Sequence, residues 1–273
     1  MATLRIFADE SGTMPLDDDD GIFVMATVSL FGDPPIIEKH NGHLSWLIDK
    51  LAELDALPQV STVIPVPGYG EAIRVKFSKM KTMARYRRMM IEKEHKYLDD
   101  YEGSIRNKIW SSGMNQSIAL SVLDGITRNS IDSLQITMDV KTMREPDRKL
   151  FTDIVDIVPQ TIKDILERVK AVNPAQADRY SSNIAFRSSD ISINWMNPED
   201  KDHVTDGLWL AHHLSKHYQK YLSRTSEPHV RAKLSEAGFN DFELDITHSL
   251  MAPINRSAID KWKQDTGLPE PTE

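Results

Sequence analysis

The chain contains no cysteine among its 273 residues. Disulfides, thiolate nucleophiles and zinc–thiolate sites are therefore excluded. No apolar run is long enough to span a bilayer. The N-terminus leads straight into a strand pattern, without the basic region and apolar stretch of a secretory signal. A cytoplasmic protein with no membrane association is the expectation. Several chemistries lack their motifs. Gly68-Tyr69-Gly70 is not followed by the Lys-Ser pair of a phosphate-binding loop. Ser11 has no G-x-S-x-G elbow around it, and Gly12 beside it reads as a turn residue. His213 and His217 stand four apart, but no glutamate accompanies them as a zinc protease helix requires. With His212 they read as a satisfied or exposed histidine cluster, and His40 and His43 as a weaker one. There is no internal repeat and no low-complexity linker.

What is present suits a globular protein with a sizeable core: 40% of residues are hydrophobic and 27% are charged. The net charge of −8 argues against a general coat of positive charge for gripping nucleic acid. A local basic groove beside an acidic centre remains compatible with it. Arg74 to Lys96 supplies such a region, with nine Lys or Arg residues opposed only by Glu92 and Glu94. Lys76, Lys79, Lys81, Arg85 and Arg88 are its candidate nucleic-acid contacts, since neutralising phosphates releases counterions. The plainer reading is a solvated helix face.

Hydrophobic periodicity divides the chain into alternating element types. Thr3 to Ala8 and Gly21 to Phe31 read as two strands of a hairpin, separated by the solvated run Asp17 to Asp20. Pro34-Pro35 opens a helical pattern to about Leu57, and Pro58 to Gly70 reads as a loop or irregular edge. Glu71 to Phe77 alternates as a third strand. Lys81 to Lys108 reads as a basic helix and Asn115 to Asn129 as a shorter one. Ser133 to Val140 is the strongest interior strand. Pro146 to Val172 is helical, with Pro159 marking a kink or break. Of 183–187 and 191–195, at least one is expected to be a strand. Asn197-Pro198-Glu199 signals the start of a helix running through Asp206 to about Tyr221. Further helices are expected from Ser226 to about Gly238 and from Ile254 to Gln264. This order predicts an α/β fold with a mixed sheet, a core over residues 1–222 with helical insertions, and a helical extension over 223–273.

Carboxylates fall at telling places in that pattern. Asp9 and Glu10 end the first strand, although Asp and Glu have low strand propensity and a buried charge needs a partner. Strand parity puts Asp9 on one face with Arg5 and Phe7, and Asp139 on one face with Gln135 and Thr137. Adjacent strands lie about 4.8 Å apart, so two such aspartates at neighbouring strand ends are placed to share a cation. Asp206 adds a third carboxylate within an otherwise apolar helix stretch. A two-metal site needs three or four acidic ligands from distant segments. Asp9, Asp139 and Asp206 supply that number, with Glu10 in reserve. Read singly, each is a strand-ending or partly exposed aspartate.

The opening IFADESGT resembles a large bacterial and phage family of uncharacterised proteins that begin with a strand and a D-E-S-G motif. That family resembles a branch of the ribonuclease H-like superfamily. Val75-Lys76-Phe77-Ser78, Ile136-Thr137-Met138-Asp139 and Thr205-Asp206-Gly207-Leu208 are similar to its later motifs, with threonine where an alanine is usual. Arg74 departs from the pattern, which often has an acidic residue there. The resemblance implies a ribonuclease H-like mixed sheet flanked by helices. It also implies Mg2+ or Mn2+ held by Asp9, Glu10, Asp139 and Asp206, with Lys76 on a phosphate. The implied activity is metal-dependent cleavage of phosphodiester bonds in RNA or DNA. The alternative is a catalytically inactive module of the same fold, binding nucleic acid or protein, in a setting such as phage defence.

Overall fold

The computed structural model describes residues 2–12, 23–39, 41–63, 110, 113–139, 154–196, 205–223 and 240–244. Six strands form one mixed sheet: β1 (Thr3–Gly12), β2 (Phe23–Phe31), β3 (Leu57–Val63), β4 (Ser133–Asp139), β5 (Ile191–Met196) and β6 (Asn240–Leu244). Their spatial order is β5-β4-β1-β2-β3-β6. β1, β2 and β3 pair antiparallel in succession. β4 joins β1 in parallel and β5 joins β4 in parallel, while β6 runs parallel to β3 at the opposite edge.

The helices are α1 (Leu44–Glu53), α2 (113–128), α3 (Ile154–Val172), α4 (Pro174–Ser182) and α5 (Thr205–Ser223). They cover both faces of the sheet, which explains why β1 and β2 are buried almost throughout. On one face Leu4, Ile6 and Ala8 of β1 meet Met114, Ile118 and Val122 of α2 and Val158 and Ile162 of α3. On the other, Phe7, Val24, Ala26 and Val28 meet Leu47 and Leu51 of α1 and Leu208, Ala211 and Leu214 of α5. The period-two alternation of the central strands thus feeds two separate apolar layers.

Two of the expected elements shift. The helix expected from Pro34 occupies only Leu44–Glu53, because the described residues 33–39 and 41–43 are irregular and the Ile37 N–H is held by Asp206. Of Pro58 to Gly70, expected as a loop or irregular edge, the described residues 58–63 belong to strand β3, which lies between β2 and β6. Proline is tolerated there because pairing with β6 begins only at Gln59. Gln59 and Ser61 of β3 are buried rather than solvated. Gln59 Nε2 donates to Ser117 O at 3.1 Å, while Ser121 Oγ donates to Ser117 O and lies 2.5 Å from Thr27 Oγ1. Buried polar groups need such partners.

Other expectations meet their elements. β4 ends at Asp139, α5 runs from Thr205 to Ser223, and Pro159 lies inside α3. Of the two weak strand candidates, 191–196 is a strand and Ile184 makes only an isolated bridge to Ile131. The region after residue 222, expected as a helical extension, contributes strand β6 to the core sheet. The expected third strand over 71–77, the basic helix from Lys81, and the helices from Ser226 and Ile254 lie outside the described residues. No helix among the described residues is long and apolar enough to cross a membrane.

Candidate active site at the end of the central strand

β1 delivers Asp9 to the layer shared with α5. Alternation along the strand puts Phe7 and Asp9 on that face, and Asp9 is only 4% exposed. Its cross-strand partner is Ala26, whose methyl group leaves room above the carboxylate. Glu10 pairs with Met25 and alternates to the opposite face, where it is also buried. The two adjacent acids therefore do not project together, which follows from the period of the strand. Gly12 closes β1 at φ +105°, a conformation that side-chain-bearing residues seldom adopt.

α5 seats on this face through a close approach. A Cβ on Gly207 would stand 2.5 and 2.6 Å from atoms of the Phe7 ring, so the helix backbone rests directly on that ring. Five residues further, His212 meets Asp9, with Nδ1 and Oδ2 2.6 Å apart. The spacing is consistent: five helical residues rise about 7.5 Å, and two strand residues advance about 6.6 Å. The helix thus runs along β1, with Gly207 over Phe7 and His212 over Asp9. A carboxylate accepts and an imidazole N–H donates, so this contact fixes the ring's orientation through Nδ1–H. The other oxygen, Oδ1, accepts the backbone N–H of Glu10 at 2.8 Å.

Comparisons with known protein families, curated proteins and solved structures find no match to this chain.

The register of β1 and β4 brings a second acidic position alongside. Ala8 pairs with Met138, so position 139 is the next step of the same parallel ladder as Asp9. The Asp139 side chain lies outside the described residues. Asp206 sits in the first turn of α5, where a negative charge complements the helix N-terminus. Its Oδ2 accepts the Ile37 N–H at 2.7 Å, and it is buried. It stands six residues before His212, about 9 Å along the helix. Asp206 therefore anchors the backbone at Ile37, and His212 is the α5 residue that meets Asp9. Among the described residues, no three His, Asp or Glu side chains gather as a metal ligand group. Lys76, Lys79, Lys81, Arg85 and Arg88 lie outside the described residues.

His212 is the site residue that sequence reasoning passed over, because the run His212-His213 looked like an exposed cluster. The available signal was Gly207. A glycine in an apolar helix marks a close approach, and counting onward from it at the strand's pace arrives at His212.

Donor chemistry favours a hard cation at this strand end. Mg2+ is commonly held by one or two carboxylates, with substrate phosphate and water completing its shell. Asp9, directly after the last parallel pair of β1 with β4, and Asp139, which ends β4, are two adjacent aspartate positions that could meet that requirement. Ligand sites in open α/β sheets also favour the carboxyl ends of such strands.

Proposed function

We propose that this protein is a divalent-metal-dependent nuclease of ribonuclease H-like fold, cleaving phosphodiester bonds. The observation that carries the reading is the buried Asp9 carboxylate, oriented by His212 and one register step beyond the Ala8–Met138 pair of two parallel strands. The six-stranded mixed sheet with helices on both faces is compatible with the arrangement that the DESG resemblance implies.

In this reading Asp9 and Asp139 hold Mg2+ or Mn2+. The bound ion supplies a water of lowered pKa and a Lewis acid for the phosphodiester oxygens. His212 is a positioning residue, holding Oδ2 of Asp9 in one orientation through Nδ1–H. The Glu10 N–H holds Oδ1, so the carboxylate meets a ligand without first losing rotational freedom. Lys76 and the basic residues Lys79, Lys81, Arg85 and Arg88 supply phosphate contacts.

A second reading is favoured by the same contacts. Both Asp9 oxygens already have protein partners, as they would in a binding module that kept the fold without turnover. Incubating RNA and DNA with the wild type and Asp9→Asn, with Mn2+ or with EDTA, separates the two. Mn2+-dependent cleavage lost in Asp9→Asn is expected. Equal rates in the two proteins would remove Asp9 from the mechanism, and no cleavage by either would favour the binding module.

A further inference from the structure

Beside the Asp9–His212 contact runs a row of rings with no part in holding the carboxylate. Trp209, His213 and His217 recur at intervals of four along α5 and so share one helix edge. Trp209 and His213 are in contact with centroids 3.9 Å apart and planes tilted by 41°. Trp46, from α1, meets Trp209 edge-to-face at 5.5 Å. His213 in turn lies 5.5 Å from His212 and 6.3 Å from His217. His217 Nε2 contacts Gly42 O at 2.7 Å, which ties the far end of the row to the segment preceding α1. All these rings are partly exposed, whereas Leu47, Leu51, Leu210 and Leu214 make the buried contact between the same two helices. The rings therefore form the rim of that interface, and the row reaches the candidate catalytic carboxylate through His212.

Charge along this helix departs from the rest of the chain. In a protein of net charge −8, residues 207–223 contain no Asp or Glu. Lys216 and Lys220 are exposed and continue the i, i+4 line from His212, so a basic row runs beside the aromatic one. Aromatic faces next to cations along one track are what an unpaired strand requires: rings stack on bases, and cations neutralise phosphates. A duplex keeps its base faces internally stacked and offers the rings nothing.

We propose that the Trp46–Trp209–His213 row is a base-stacking platform for single-stranded nucleic acid, with Lys216 and Lys220 tracking the backbone into the Asp9 site. The assignment names a substrate class and rests on the nuclease reading for its link to cleavage. The binding itself is measurable without metal.

The test is fluorescence anisotropy with a labelled oligonucleotide of about 15 nucleotides, near the upper site size for a single-strand groove. The probe is used single-stranded and annealed to its complement, in EDTA so that cleavage does not run. Wild type is expected to bind the single strand about tenfold more tightly than the duplex. Trp209→Ala should weaken single-strand binding about tenfold or more, the scale of losing one stacked base. Trp209→Phe, which keeps a ring, should retain most of the affinity, and His213→Ala should lose several-fold. Lys216→Ala should weaken both forms and lower the salt dependence. Lys163→Ala, on α3 at the other sheet face, should match wild type. The proposal is overturned if the duplex binds as well as the single strand, or if folded Trp209→Ala and His213→Ala bind like wild type. Ring-dependent binding without Mn2+-dependent cleavage would sink the hydrolytic reading and leave the platform standing. Cleavage without ring dependence would do the reverse.

Discussion

Replacing Gly207 by alanine probes the seat that sets α5 over the sheet. The added methyl would lie 2.5 Å from Phe7 Cδ1 and 2.6 Å from both Cδ2 and Cε1. Carbon atoms ordinarily rest about 3.5–4.0 Å apart, so the overlap is about 1 Å against three ring atoms at once. Phe7 is 1% exposed and has no outward escape, so either the ring or the whole helix must shift. Overpacking of this kind costs about 1–3 kcal/mol. Alanine returns about 1 kcal/mol through its better helix propensity. The net expectation is a loss of up to about 2 kcal/mol, which lowers the melting temperature by up to roughly 8 °C at about 2–4 °C per kcal/mol. Thermal and urea unfolding of Gly207→Ala, Phe7→Leu and the double variant measure it. Trimming the ring should relieve the clash, so the double variant should be more stable than the summed single losses predict, by about 1 kcal/mol. Strictly additive losses would refute the claim that the helix backbone rests on Phe7, since the clash is what couples the two positions.

Other substitutions address the remaining contacts. Asp206→Ala strips the acceptor from the buried Ile37 N–H and should cost about 2–3 kcal/mol in urea unfolding, as expected for a hydrogen bond to a charged group. Ser121→Ala removes the α2 hydroxyl that meets Thr27 of β2 and should cost about 1–3 kcal/mol; adding Thr27→Val should restore part of that loss. His212→Ala should leave the fold intact and reduce Mn2+-dependent cleavage about 10–100-fold, the scale for losing a residue that orients a ligand. An unchanged cleavage rate would reassign His212 to packing alone.

The parts of this fold that could be read in advance are those where burial follows a simple period. β1 and β4 alternate an apolar set (Leu4, Ile6 and Ala8; Leu134, Ile136 and Met138) with a more polar one, so their sequences display strand spacing. α2 and α5 carry apolar stripes that fit one sheet face each. β3 was hidden because two of its buried side chains are polar: Gln59 and Ser61 face α2, whose Ser117 and Ser121 bond to Gln59 and Thr27. Polar residues after a proline look like a loop when their partners lie more than fifty positions away. The extent of α1 was overestimated because Ile37 is apolar at helical spacing, yet its backbone is claimed by Asp206. Asp9 was legible as a charge needing a partner, but Asp9 to Gly12, expected as a turn closing the strand, continue β1 paired with β2. That Glu10 faces the other way follows from strand alternation once pairing continues through Gly12. His212 was not legible, since its meaning depends on where α5 sits, and that depends on a single missing side chain at position 207.

Calorimetric titration of Mn2+ into the wild type, Asp9→Asn, Asp139→Asn and the double variant tests most directly whether positions 9 and 139 share one cation. The expected result is saturable binding by wild type, a large loss in either single variant, and little further loss in the double, since both changes empty the same site. Wild-type protein that takes up no Mn2+, or Asp139→Asn that binds it as wild type does, would contradict the shared site.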